Sequence, residues 1–241
     1  IAKAKGIMIL SGGGFDIVPT DCMALSLKEQ LPDATSLSLG LAGTGSYTLG
    51  TVKSLLLQLA KGGFVRKDGK IEKSPVLSKS LHINLGDKPT WFYSVPLADV
   101  FTAYITTGIA NITLYMALPN GFARFVRAMN PLTGLLKLQM IRKLMLWPLR
   151  NQKLADEQIR KKYRFFVWGR ATADDGRSIE ELWMTGEAYN FTAESVNVIA
   201  KSILDGKAKP GFQTPSLAFG SDFALTISKS RRLLRNGERV K

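Results

Sequence analysis

Hydrophobic and polar positions repeat with two periods along this chain, and the changes between them mark its elements. Ile7 to Leu10 is a short apolar run that predicts a buried strand. Ser11-Gly12-Gly13-Gly14 follows as a turn, and Cys22 to Leu31 then carries Met23, Ala24, Leu27 and Leu31 on one helical face. Thr20 or Asp21 is placed to cap that helix, and Pro32-Asp33 stops it. Ser36 to Leu41 alternates, with Leu37, Leu39 and Leu41 pointing one way, as in a half-buried strand. Gly43 to Ser46 is a loop, and Val52, Leu55, Leu56 and Leu59 form the stripe of a helix that Gly62 and Gly63 end.

Phe64 to Ser74 reads as a hairpin about Asp68-Gly69. Leu81, Ile83 and Leu85 alternate with His82 and Asn84, which places His82 on the open face of a strand. Trp91 to Val95 and Ile112 to Leu118 are further strands. Ala98 to Asn111 mixes Thr, Tyr, Asp and Asn with apolar residues. It reads as a pocket-lining segment or as a loop whose hydroxyls serve its own backbone. Phe165 to Ala173 and Ile179 to Met184 predict a second hairpin about Asp175-Gly176, with Trp168 and Trp183 as core or cross-strand residues. Thr192 is expected to cap a helix with Val196, Ile199, Ala200, Ile203 and Leu204 inward, ending at Gly206. Pro210 to Gly220 is a turn-rich loop, Phe223 to Ile227 a last strand, and 229–241 a basic tail or end helix.

The stretch 121–164 differs in character. It holds 11 Lys and Arg against only Asp156 and Glu157, among Leu, Met, Phe and Trp. It predicts basic amphipathic helices broken at Pro131 and Pro148. A lid over an apolar pocket or a subunit contact is favoured; the surface of an anionic membrane is the alternative. Nucleic acid is a poor partner, because few aromatics interleave with the basic residues and no known module appears.

Composition bounds these readings. The chain has 241 residues, 45% hydrophobic and 22% charged, enough for a sizeable core. The net charge of +14 favours anionic partners in general. With Cys22 and His82 the sole residues of their kinds, a disulfide, a cysteine-built metal site and a histidine-based triad have nothing to build on, and no metal is expected. No run of about 18 apolar residues predicts a membrane span. A cytoplasmic protein, with peripheral membrane contact as an option, is the expectation. Ile1 before a core-like strand suggests a fragment of a longer protein.

Two glycine turns lead into helices, and such a turn favours negative charge or simply connects the elements. The second carries Thr51 and Lys53 near its first helical turn. Three stretches, however, together resemble the saccharopine-dehydrogenase-like oxidoreductases, which include the trans-acting enoyl reductases. They are Gly14-Phe15-Asp16-Ile17-Val18-Pro19-Thr20-Asp21-Cys22, then Gly50-Thr51, then Pro210-Gly211-Phe212-Gln213-Thr214-Pro215-Ser216-Leu217-Ala218-Phe219-Gly220. The resemblance implies an α+β fold: a mixed or antiparallel sheet with helices packed on one side, the substrate and dimerisation domain that follows a Rossmann domain. It implies residues 1–16 as the last strand of that Rossmann domain and the hinge, and 17–228 as the substrate domain. It implies NAD(P)-linked hydride transfer to or from a carbonyl, imine or enoyl substrate, and a possible homodimer. This chain carries no glycine fingerprint of its own, so NAD(P) would be held mainly by a domain outside it, and the chain alone would be inactive. Gly12, Gly13, Gly14, Phe15 and Asp16 would face the cofactor. Thr51, Gly108, Asn111, Phe212 and Thr214 would face the substrate. Asp16, Lys53 and Tyr104, with Thr51 and Asp21 beside them, are the polar groups to test as proton donors or orienters. The competing reading is a lipid-surface or dimerisation protein without catalysis.

Overall fold

The computed structural model describes residues 1–43, 50, 53–54, 57–58, 61–85, 88–128, 130, 138–147, 157–160, 162–236 and 238–240. In chain order the strands are β1 (Met8–Leu10), β2 (Ser36–Gly43), β3 (Gly63–Lys67), β4 (Lys70–Ser74), β5 (Ser80–Leu85), β6 (Lys88–Ser94), β7 (Asn111–Ala117), β8 (Phe165–Thr172), β9 (Ser178–Thr185), β10 (Gly211–Gln213), β11 (Arg231–Arg235) and β12 (Glu238–Arg239). The helices are α1 (Val18–Gln30), α2 (Asp99–Thr107), α3 (Asn120–Ala128), α4 (Gln139–Leu146), α5 (Glu157–Arg160), α6 (Ala188–Ser202) and α7 (Pro215–Phe219).

Two sheets result. The large mixed sheet runs β12-β11-β9-β8-β2-β7-β3-β4, with β6 joining β7 and β5 joining β6. Its centre is β2, parallel to β7 and antiparallel to β8. The small sheet is β1 and β10 alone, paired in parallel as Met8 with Gly211, Ile9 with Phe212 and Leu10 with Gln213. The fold is α+β, with helices packed over one side of the large sheet.

Sequence explains the layering. The alternation of β2 sends Leu37, Leu39 and Leu41 into the helix-side core with Ile112 and Leu114 of β7, Val167 of β8 and Met23 and Leu27 of α1. Each such fully buried side chain contributes roughly 1.5–3 kcal/mol. Gly169 makes the approach of α1 possible, since a Cβ there would stand 2.7 Å from both Leu27 and Met23. The opposite face carries its own cluster of Ile83, Phe92, Tyr115, Trp168 and Leu182. Both hairpins form where Asp-Gly marks them, and Asp68 and Gly69 take the positive φ of 47° and 75° that such a tight turn requires. His82 is exposed beside Trp91, with ring centroids 4.8 Å apart.

Several elements depart from the periodicity. Helix α1 begins at Val18, so Thr20 and Asp21 lie inside its first turn rather than capping it; Pro19 fits there because its missing N–H is not needed. Ala98–Asn111 holds a helix, α2, closed by Gly108 at φ 69°. Its polar residues masked the helical repeat of Asp99, Val100, Ala103 and Thr107, all buried. Helix α6 is capped by the Glu187 carboxylate, which accepts the N–H of Asn190, and so starts before Thr192. Its inner face is Phe191, Ser195 and Ile199, while Val196 and Ala200 face outward, and Ile203 and Leu204 lie past its end and are exposed. Phe223–Thr226 is a 3-10 turn, not a strand. The expected basic tail instead supplies β11, an edge strand on β9. The run Ile7–Leu10 is not buried: Ile7 and Ile9 are about half exposed, at 50% and 51%. Around the second glycine turn, Gly50, Lys53, Ser54, Leu57 and Gln58 have helical backbone, while Thr51, Pro131 and Pro148 lie outside the described residues.

Candidate functional site

The turn after β1 is shaped by its neighbours. Gly12 has φ +77°, and a Cβ there would stand 2.6 Å from the Ile17 side chain. A Cβ on Gly14 would stand 2.9 Å from Thr192 of α6. The Gly13 carbonyl accepts the Ser195 hydroxyl, and the Phe15 N–H donates to Thr192 Oγ1 at 3.0 Å. The Phe15 ring is a core residue, set edge-on to Phe165 and Phe191 at 4.9 and 5.6 Å. Thus Gly12 and Gly14 serve close contact within the chain. Gly13 differs: a Cβ there would meet Ile199 and Val196 only at 3.4 and 3.7 Å.

Beneath the turn, two buried carboxyls tie α1 to the elements around it. Asp21 accepts the N–H of Ser216 at 2.9 Å, the Ser216 hydroxyl at 2.6 Å and the Thr106 hydroxyl at 2.5 Å. Thr106 also bonds the Thr214 hydroxyl at 2.7 Å, and Thr214 caps α7. The first and third sequence motifs therefore meet at Asp21, with α2 between them. Asp99, at the start of α2, bonds the Thr20 hydroxyl, which also donates to the Ile17 carbonyl at 3.0 Å. Asp99 Oδ2 has no hydrogen-bond partner. Burial pushes this carboxyl up to about 7, the Thr20 bond opposes the shift, and the charges of Asp16 and Asp21 add to it. Asp16 reaches solvent, and partial burial raises its carboxyl as well. The arrangement pairs an open acid with a sealed acid that is half protonated near neutrality, a range suited to proton exchange.

The other sequence candidates are dispersed. Tyr104 lies two residues before Thr106 on α2, about 200° round the helix at 100° per residue. Its ring stacks on the Arg66 guanidinium, 3.9 Å from ring centroid to Cζ, and Arg66 donates to the carbonyls of Val100 and Gly69. Lys53 is exposed. Asn111 accepts the Asp68 N–H at 3.0 Å and donates to Thr35 at 3.2 Å, and so holds a turn. Phe212 on β10 is 47% exposed, whereas Thr214 is fully buried. The sequence reading named Thr20 as a helix cap, Ser216 within a family motif and Asp99 and Thr106 within the mixed segment 98–111, and assigned none of the four an individual site role. The signal for the α2 pair was the spacing of Asp99, Thr102, Ala103 and Thr106 on one helical face.

Among the described residues, the turn at Gly12–Gly14 offers no cradle for a pyrophosphate. The amides where α1 begins are spent, since Phe15 donates to Thr192 and Ile17 and Val18 both donate to the Gly14 carbonyl. Asp16 and Asp21 add negative charge where a pyrophosphate would need donors. A separate cleft of about 690 Å³ opens between the end of α6 and α7, lined by Val198, Ser202, Lys207, Lys209, Phe219 and Phe223. Among the described residues no group of His, Cys, Asp and Glu is placed to hold a metal, and no helix is long and apolar enough to cross a membrane.

No family model matches the sequence, and no curated protein matches it. Its fold is similar to that of apo saccharopine dehydrogenase (L-Glu forming) from Saccharomyces cerevisiae. The TM-score is 0.56 at 14% identity, over 96% of this chain and 75% of the other. At that identity the likeness is one of fold.

Proposed function

We propose that the chain is the substrate-side domain of an NAD(P)-dependent oxidoreductase of the saccharopine-dehydrogenase-like kind. The observation that carries this reading is the β1–β10 pair. Parallel strands normally sit inside larger sheets covered on both faces, and a two-stranded sheet is marginal by itself. Here Ile7, Ile9 and Phe212 stand about half exposed, at 50, 51 and 47%. A parallel nucleotide-binding sheet extending from this pair gives those side chains cover and the strands partners. The fold likeness supports the same reading. The nicotinamide supplies the hydride when bound. In this reading Asp16, open to solvent at the turn, is the group of this chain that orients or exchanges a proton with substrate.

The test is the complete gene product. It is expected to contain a glycine-fingerprint βαβ unit outside these residues and to bind NADPH, read by the nucleotide's fluorescence. Gly13→Ala introduces only ordinary contacts, so it should leave Tm unchanged and weaken NADPH binding roughly tenfold if the backbone there touches the nicotinamide end. A full-length protein without such a unit, or one that does not bind the nucleotide, overturns the reading.

A further inference from the structure

We propose that the cleft between the end of α6 and α7 binds a small organic anion, an acidic head joined to an apolar body. On α6, Val198 and Ser202 fall at i and i+4, on one face of the last turn, and both line the cleft. The chain then widens into a π turn, Ile203–Lys207, in which Gly206 takes φ 81°. That left-handed residue ends the helix and brings Lys207 and Lys209 onto the lining of the same cleft. Phe219 of α7 and Phe223 of the 3-10 turn complete it, their ring centroids 5.0 Å apart and their planes tilted by 36°.

The volume, about 690 Å³, suits a small molecule, and so does an apolar lining with a few polar groups. Phe223 is buried and Phe219 half-buried, so ring surface is left for an apolar body to cover. Charge chooses the ligand. Lys207 and Lys209 are the charged residues of the lining, and Asp205, the acid of the π turn, is not part of it. The Lys209 ammonium donates to the Leu217 carbonyl at 2.7 Å, which fixes one positive charge at the cleft and leaves two of its three donors for a ligand. The Lys207 ammonium has no hydrogen-bond or ion-pair partner among the described residues. Two cations without a counter-charge beside ring surface match a carboxylate on an aryl or acyl body. A bare phosphate would leave the rings wet, and an uncharged apolar molecule would leave the ammonium groups unmatched. The proposal is independent of the oxidoreductase reading.

The test is calorimetric titration of the 241-residue chain near neutral pH with octanoate, with naphthoate, with the uncharged primary amide of each, and with inorganic phosphate. At least one of the two acids is expected to bind at a single site, its amide roughly tenfold or more weakly, and phosphate not at all. Tighter binding of octanoate assigns an acyl body to the ligand, and tighter binding of naphthoate an aryl one. Lys207→Gln with Lys209→Gln should weaken binding of the acid roughly tenfold and leave that of the amide unchanged. Ser202→Trp fills the cleft and should abolish binding of both. Lys207 and Lys209 are exposed, so Tm serves as a folding control, and the lysine pair decides the matter if Ser202→Trp unfolds the chain. Binding of neither acid, equal binding of acid and amide, or binding undiminished in the lysine variant overturns the proposal. So does binding by the 241-residue chain that the complete gene product lacks, which would assign the cleft to another segment of the protein.

Discussion

Asp21 gathers three donors on one buried carboxylate, and the first turn of α1, α2 and α7 meet at it. Removing it leaves hydroxyls and an amide without acceptors. Asp21→Ala should therefore cost about 3 kcal/mol, read by urea unfolding. Asp99 acts in the opposite sense. Its folded value of about 7 lies above the ordinary 3.8, so the folded state holds a proton that the unfolded chain releases. That contribution to stability is complete below pH 4 and is lost as pH rises to about 7, by on the order of a few kcal/mol. In Asp99→Asn this part of the pH dependence should disappear from unfolding curves taken across that window. Cys22 is wholly buried, and burial together with the Asp21 charge pushes its thiol well up. Thiol reagents at pH 8 should label it only after denaturant is added. Gly14 answers to Thr192, so Gly14→Ala should destabilise, and Thr192→Ser in the same chain should restore part of the loss by removing the methyl 2.9 Å away.

At the level of elements, the sheet was legible because its strands alternate cleanly. Leu37, Leu39 and Leu41 face the core as their period says, and both Asp-Gly hairpins form. Helix α2 was hidden because its inward positions are partly polar: Asp99 and the half-buried Thr106 find partners on other elements, while Thr102 and Thr107 donate to carbonyls of α2 itself. The site was hidden for the same reason: nothing local links Asp21 to Ser216, 195 residues away. Strand β11 was missed because Arg231, Arg232 and Arg235 pattern as a charged tail, whereas Arg231, Arg232, Leu234 and Arg235 pair with β9. Its hold is the buried Glu181, which accepts Ser26, Gln30, Trp183 and Arg232. Glu181→Ala should cost about 3 kcal/mol, because Arg232, 18% exposed, loses its buried partner. Thermal unfolding measures it.

Over the whole molecule, the large sheet with its helix layer is complete in itself, while β1 and β10 are not. The fold is that of the yeast dehydrogenase at coarse resolution, and a fold alone does not fix chemistry. In the reading proposed above, a nucleotide-binding sheet over Ile7, Ile9 and Phe212 is what gives this chain a reaction. The functional question thus rests on one small surface rather than on the core.

That pair has a mechanical consequence. The chain leaves β1 at Ser11, builds β2 to β9 of the large sheet, and returns at Gly211 beside its point of departure, with Ser11 bonded to Gln213 and Gly211 to Ile7, before it adds β11 and β12. The pair closes residues 12–210 into a loop at its neck, and the bonds of Phe15 to Thr192, Ser195 to Gly13 and Ser216 to Asp21 beside that neck make it a clamp that resists swinging.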